Sequence, residues 1–156
     1  MEKIRAKVEH LRKKIKNRNK LEYLSGMIVI AGVVFLYPEA QSVMTRIFFL
    51  WIILSILWIF AYIYFRASND PFPKDDSDKS LLAYQKHQIE REIEIGSHVH
   101  WWYIFPLFAG ATGVYFSFGE KGLLGYLPFA IVFSLIWWVN IRAVKKLRKD
   151  LKNLQK

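Results

Sequence analysis

Four apolar runs, at residues 21–37, 47–65, 99–116 and 123–139, alternate with polar segments along the chain. Crossing a hydrocarbon core of about 30 Å takes about 17–25 apolar helical residues, since a helix rises about 1.5 Å per residue. All four runs reach that length, and their cores contain no charged side chain. The pattern predicts an all-α integral membrane protein with four transmembrane helices.

The segments between the runs predict two helical hairpins. Residues 38–46 and 117–122 are short and contain the Pro and Gly typical of tight loops. Residues 66–98 are longer and polar, and they join the two hairpins. With 156 residues in total, the chain is predicted to form a single membrane domain.

Basic residues lie almost entirely outside the two short loops, in the terminal segments and in the segment 66–98. Of the 23 Lys and Arg residues, only Arg46 and Lys121 fall in the two short loops. The positive-inside rule therefore predicts a multi-pass protein of the bacterial inner membrane, with both termini and the segment 66–98 in the cytoplasm. The chain contains no cysteine, which excludes disulfides, thiolate metal sites and cysteine nucleophiles.

Three polar segments are predicted to form amphipathic helices. The terminal segments, 1–20 and 140–156, are basic, and each carries a narrow apolar seam. The seam residues are Ile4, Val8, Leu11 and Ile15 near the N-terminus, and Val144, Leu147, Leu151 and Leu154 near the C-terminus. Each terminal helix is expected to continue its neighbouring span as one rod. The central segment is expected to be a Pro-containing acidic linker followed by a helix that ends near Gly96.

Opposite charge leads to the hypothesis that the acidic central helix packs between the two basic terminal helices. The contact residues would be Glu90, Glu92 and Glu94 on the central helix, and Leu147 and Leu151 on the C-terminal helix. Alternatively, the basic helices bind anionic lipid headgroups, at about 1 kcal/mol per nearby Lys or Arg. The two arrangements are compatible. Nucleic acid is not an expected partner, because lysines that flank a span usually report topology.

The third run has the most specific packing pattern. Ala109, Gly113 and Ser117 recur at every fourth residue, which gives a groove where another helix backbone can approach closely. Pro106 removes a backbone hydrogen bond and is expected to bend the helix; Pro128 in the fourth run raises the same expectation. Each proline is either a hinge or pore-lining kink, or a fixed bend that allows helices to pack, and the second interpretation is favoured.

No catalytic, cofactor-binding or metal-ligating group emerges from the sequence. The first run lacks the membrane-embedded carboxylate on which small four-span exporters depend. His98 and His100 point about 200° apart on a helix, so they are not expected to share a metal ion. The favoured function is a non-enzymatic interaction or regulatory module, homo-oligomeric or bound to a protein partner. The alternative is a small channel or transporter subunit whose path forms between protomers.

Three stretches resemble a group of small uncharacterised bacterial inner-membrane proteins. They are the Tyr-Gln-Lys-His-Gln-Ile-Glu stretch at 84–90, the Trp-Trp-Tyr-Ile-Phe-Pro-Leu-Phe-Ala-Gly stretch at 101–110, and Arg18-Asn19-x-x-Glu22-Tyr23. The resemblance implies a multi-span helical membrane protein of unknown activity, in some genomes near genes for alternative sigma factors. It therefore implies a signalling or regulatory accessory role, and it provides no catalytic residues. This chain departs from the group at Gly96, His98 and His100.

Overall fold

A computed structural model describes residues 2–67, 70–73, 77–118 and 123–154. Lys121 in the second short loop and residues 74–76 of the predicted acidic linker lie outside the described residues. The described residues form helices and short connecting segments, with no strand among them, which confirms the predicted all-α class. Its α-helices are α1 (Glu2–Leu36), α2 (Val43–Arg66), α3 (Asp78–Ser97), α4 (Phe105–Ser117) and α5 (Leu123–Leu154).

Helices α1 and α5 are the two predicted rods. Each runs without interruption from an apolar run into a basic terminal segment, and Pro128 lies inside α5 without ending it. Three helices are long and apolar enough to cross a membrane, namely Ile4–Glu39, Val43–Arg66 and Leu127–Leu154. The structure therefore has three candidate spans by length and composition.

The predicted third span is divided into two kinds of helix. A π-helical turn, His100–Ile104, precedes the 13-residue α4, and the backbone N–H of Phe105 bonds to the carbonyl of His100. Pro106 in the first turn of α4 explains the wider turn, because its ring would meet a carbonyl of a regular α-helix and it has no N–H to donate. The disturbance that Pro106 predicts in the run 99–116 thus takes the form of a π-helical turn.

Helix α4 lies along α2 in the antiparallel direction. At one end the indole of Trp102 stacks on the ring of Tyr62, with centroids 4.4 Å apart. At the other end the hydroxyl of Thr45 donates to the carbonyl of Ser117 over 3.5 Å. The π-helical turn and α4 together accompany α2 over most of its length.

Helix α3 packs against both rods. Its N-cap is Ser77, whose hydroxyl accepts from the backbone N–H of Ser80. Val8 of the α1 seam and Leu81 of α3 are each only 1% exposed, and Val144 of the α5 seam is also buried. The seams thus bury their apolar side chains in this arrangement, and the predicted packing of the central helix against both terminal helices is confirmed.

Candidate functional site

A groove of about 660 Å³ lies between α1, α3 and α5. Most of its wall is apolar, and a smaller part carries polar and charged side chains. The apolar wall is formed by Ile63, Ile95, Val99, Trp102, Leu135, Ile136 and Val139. The polar wall includes Lys14, Arg18, Asn19, Glu22, Glu92, Asn140, Lys146 and Asp150. Pockets of this size commonly bind small molecules, with a few polar groups fixing their orientation.

Arg18 and Glu92 form the ion pair that joins α1 to α3 across the groove. Both guanidinium Nη atoms contact the carboxylate, with the Arg18 Nη2 to Glu92 Oε1 distance at 3.1 Å. Glu92 is only 7% exposed, so its charge needs this partner. Asn19 accepts a hydrogen bond from Arg18 over 3.0 Å and donates to the carbonyl of Ala67 over 2.7 Å. The same point on α1 therefore also holds the end of α2.

Glu22 and Tyr23, one turn further along α1, contact two other elements. The side chain of Tyr103 in the π-helical turn lies beside the carboxylate of Glu22, and both residues line the groove. The Tyr23 hydroxyl donates to the carbonyl of Phe60 over 3.4 Å, and their rings lie 4.9 Å apart. The sequence marked these α1 residues only through the family resemblance; their contacts now give them a structural role.

The last carbonyls of α3 receive hydrogen bonds from distant side chains. The backbone N–H of His98, just after the helix end, already contacts the carbonyls of Glu94, Ile95 and Gly96, so the side chains are additional donors. The indole N–H of Trp102 donates to Ile95 over 3.1 Å, and Asn140 of α5 donates to Gly96 over 2.6 Å. Sequence reasoning missed both donors. The one feature of the sequence that could have indicated Asn140 is its position, since it is a polar amide directly after the apolar run 123–139.

Gly96 allows α3 and α5 to approach closely. A Cβ at this position would lie 2.6 Å from Cγ2 of Val144, which is closer than side chains pack. The sequence noted Gly96 as a helix end and as a departure from the similar proteins. The structure shows that the missing side chain makes room for the α5 seam.

Asp70 fastens the linker to α3. Its carboxylate accepts from Gln88 and Arg91, each over 2.7 Å, and lies 3.4 Å from Nε2 of His87. Its carbonyl accepts from the Tyr84 hydroxyl over 3.0 Å. Burial raises the pKa of the Tyr84 hydroxyl above its ordinary value, which keeps the donor protonated. The linker is thus held by four side chains of one helix face.

Phe72 extends this anchor to α1. Its ring lies 5.9 Å from the ring of Tyr84, and the guanidinium of Arg12 lies 5.8 Å from its centroid on the other side. A cation over an aromatic face is attracted by the ring quadrupole. The linker therefore contributes to the contact between α1 and α3.

The three predicted contact glutamates lie on two opposite faces of α3, with Glu92 on one and Glu90 and Glu94 on the other. Glu92 is buried against Arg18, whereas Glu94 is exposed and Glu90 lies 3.8 Å from Lys86 on its own helix. On α5, Leu147 lines the groove and Leu151 is partly buried. Helical periodicity explains the glutamates, because residues two apart face opposite sides of the helix.

The small-residue stripe of α4 meets α2. Gly113 is buried, and a Cβ there would lie 2.1 Å from the ring of Phe48. Gly110, which sequence reasoning missed, is also buried against α2, while Ala109 lines a shallow depression beside it. The contact face thus follows Gly110, Gly113 and Ser117.

The histidines at the start of the third run contact the backbone and an aromatic ring. Nδ1 of His98 lies 2.9 Å from the carbonyl of Glu94, and His100 is exposed beside Trp101. Within the part of the chain that the structure describes, no group of three or more His, Asp or Glu side chains is arranged to hold a metal ion.

In comparisons with protein-family models, curated proteins and solved structures, nothing matches this chain. The resemblance of its short motifs to small inner-membrane proteins stays a prediction. What the molecule itself offers is a polar junction of four elements beside an amphipathic groove.

Proposed function

We propose that this chain is a four-span protein of the bacterial inner membrane that serves as a non-enzymatic interaction or regulatory module. Its contact surface is the polar end of the molecule, formed by residues 2–20 of α1, by α3 and by residues 140–154 of α5. We call this surface the platform. The observation that carries the proposal is the position of α3, which contacts both rods and so makes one continuous surface from three charged helices.

The contacts of α3 support an even number of membrane crossings. Arg18 ties α3 to the basic half of α1, and Gly96 ties it to the basic half of α5. Both basic halves must then lie on the same side of the membrane. Three crossings would separate the two termini, whereas four crossings keep them together.

The register between α2 and the third run supports the fourth crossing. The contacts run in order from Trp102 beside Tyr62 to Ser117 beside Thr45. That stretch of α2 rises about 25 Å at about 1.5 Å per residue, close to the thickness of a hydrocarbon core. A π-helical turn satisfies its own backbone, so it is compatible with a position inside the bilayer.

The exposed charges of the platform suit a protein partner. Glu90 and Glu94 point outward from α3, between two basic rods. A surface with both signs of charge in fixed positions favours one partner orientation over others. The positive-inside rule places this surface in the cytoplasm.

Introduced cysteines test the topology, because the natural chain has none. A membrane-impermeant maleimide applied to intact spheroplasts is expected to label Gln41→Cys, whereas Lys79→Cys and Lys149→Cys should react only after lysis. All three positions are exposed. Labelling of Lys149→Cys in intact spheroplasts would indicate an odd number of crossings and would overturn the proposed arrangement.

Site-specific photocrosslinking in native membranes tests the interaction role. A photoreactive residue at Glu94 is expected to give discrete protein adducts that weaken in a Lys145→Gln/Lys149→Gln background. The same residue at Glu39, exposed at the opposite end, is the matched control and should give none. Equal adducts at both sites, or ion flux through the purified protein in liposomes, would contradict the proposal.

A further inference from the structure

The groove contains charges that the fold itself does not use. Glu92 is paired with Arg18, and Glu22 lies beside Tyr103. No ion pair joins Lys14 of α1 or Lys146 of α5, which both line the groove, to another described residue. Two lysines that different helices contribute to one groove favour the binding of an anion.

Asp150 limits the charge that the groove can accept. It lies one helical turn beyond Lys146 on α5, further from the membrane-spanning part of that helix, and also lines the groove. The six charged side chains that line the groove sum to zero, with Lys14, Arg18 and Lys146 against Glu22, Glu92 and Asp150. A phosphodiester with a single negative charge disturbs this balance less than a multiply charged phosphate does, and the two lysines are the positive groups that have no ion pair with a described residue.

The apolar wall of the groove is continuous with the outer surface of the spans. Leu135 and Val139 line the groove and are also 54% and 58% exposed, on the part of α5 assigned to the fourth crossing. In a bilayer this surface faces acyl chains. A chain from the surrounding lipid can therefore enter the groove without leaving an apolar environment.

We infer that the groove between α1 and α5 binds one anionic glycerophospholipid, with its phosphodiester between Lys14 and Lys146 and an acyl chain along Leu135 and Val139. The apolar wall selects a lipid over a free phosphate compound, which would leave that wall uncovered. The inference rests on the proposed membrane embedding but not on the proposed partner, so either can fail without the other.

Lipid retention by the purified protein tests this site. The protein is exchanged into mixed micelles of phosphatidylglycerol and phosphatidylcholine, and retained lipids are counted by native mass spectrometry. Lys14→Gln/Lys146→Gln is expected to lower phosphatidylglycerol retention roughly thirtyfold, from the loss of two lysine–headgroup contacts. Lys13→Gln/Lys145→Gln is the matched control, because it removes the same charge from the same helices at exposed positions outside the groove. Equal retention in the two double variants would overturn the site.

Two further measurements separate the occupant from its alternatives. Ala143→Phe, which fills part of the groove from α5, should reduce phosphatidylglycerol retention while helicity by circular dichroism stays unchanged. Millimolar inorganic phosphate should leave the retained lipid in place; displacement by phosphate alone would overturn the lipid assignment. Maleimide labelling of Gln41→Cys, Lys79→Cys and Lys149→Cys reports the topology separately, so a wrong topology and an empty groove give different results.

Discussion

Two contacts between helices in this molecule, α2 with α4 and α1 with α3, are held together by different interactions. Between α2 and α4, glycines bring two apolar helices close together, as at Gly113 against Phe48. Between α1 and α3, a charged pair, Arg18 and Glu92, joins two polar helices. The α2–α4 contact depends on glycines, which have no side chain, whereas the α1–α3 contact depends on two particular charged side chains.

The difference follows from the surroundings that the two contacts are proposed to have. Lipid tails are as apolar as leucine, so helices in a bilayer gain little from burying apolar surface and depend on close packing instead. Helices in water gain from burying a seam, as with Val8 and Leu81, and can add charge pairs for register. Variants that change one contact should therefore leave the other intact.

The largest effect is expected for Gly113→Leu. The added side chain must displace the ring of Phe48, so we expect a loss of about 3 kcal/mol in the free energy of unfolding. Unfolding in mixed detergent micelles, followed by circular dichroism, measures it. Gly32→Leu is the control, because a Cβ at Gly32 has no neighbour within 4 Å. Equal losses in the two variants would contradict the α2–α4 packing.

A smaller effect is expected for Glu92→Gln. The change leaves the half-buried Arg18 without its counter-charge and should cost about 2 kcal/mol. Its first consequence should be faster tryptic cleavage within residues 2–20, measured by mass spectrometry of timed digests. Glu94→Gln removes the same charge from an exposed position and should digest like the parent protein. If both variants digest alike, the ion pair does not hold α1.

The smallest effect is expected for Asp70→Asn. The amide keeps one acceptor but loses the charge that binds Arg91, so we expect a cost of about 1 kcal/mol. Amide hydrogen exchange should rise in residues 70–73 and in the first turns of α3, while α2 and α4 remain protected. Glu90→Gln provides the control on the same helix. Faster exchange in α4 would show that the two contacts are coupled rather than independent.

The positions of the helices, and the packing of α3 against the two rods, could be predicted from local patterns in the sequence. The rods were predictable because apolar seams at Val8 and Val144 continue the helical period of the neighbouring runs. The division of the third run was not, because Pro106 predicts a disturbed helix without choosing between a bend and a π-helical turn. The direction of Glu90 and Glu94 was missed because charge was considered without the helical period.

The polar junction depends on contacts between residues far apart in the sequence. Asn140 binds a carbonyl 44 residues earlier, and Arg18 binds a carboxylate 74 residues later. No local pattern reports such pairs. The only signals were an amide at the edge of a span and the motif at Arg18 and Asn19, which gave no partner.

The hydrogen bond from Asn140 to the end of α3 determines which contacts of the protein can form early during synthesis and which must form late. A growing chain emerges from its N-terminus, so Arg18 can meet Glu92 well before α5 exists. The carbonyl of Gly96 must wait until residue 140 has been synthesised. Until then the end of α3 has its backbone contacts from His98 but not this side-chain donor, and arrival of the last helix completes the hydrogen bonding there.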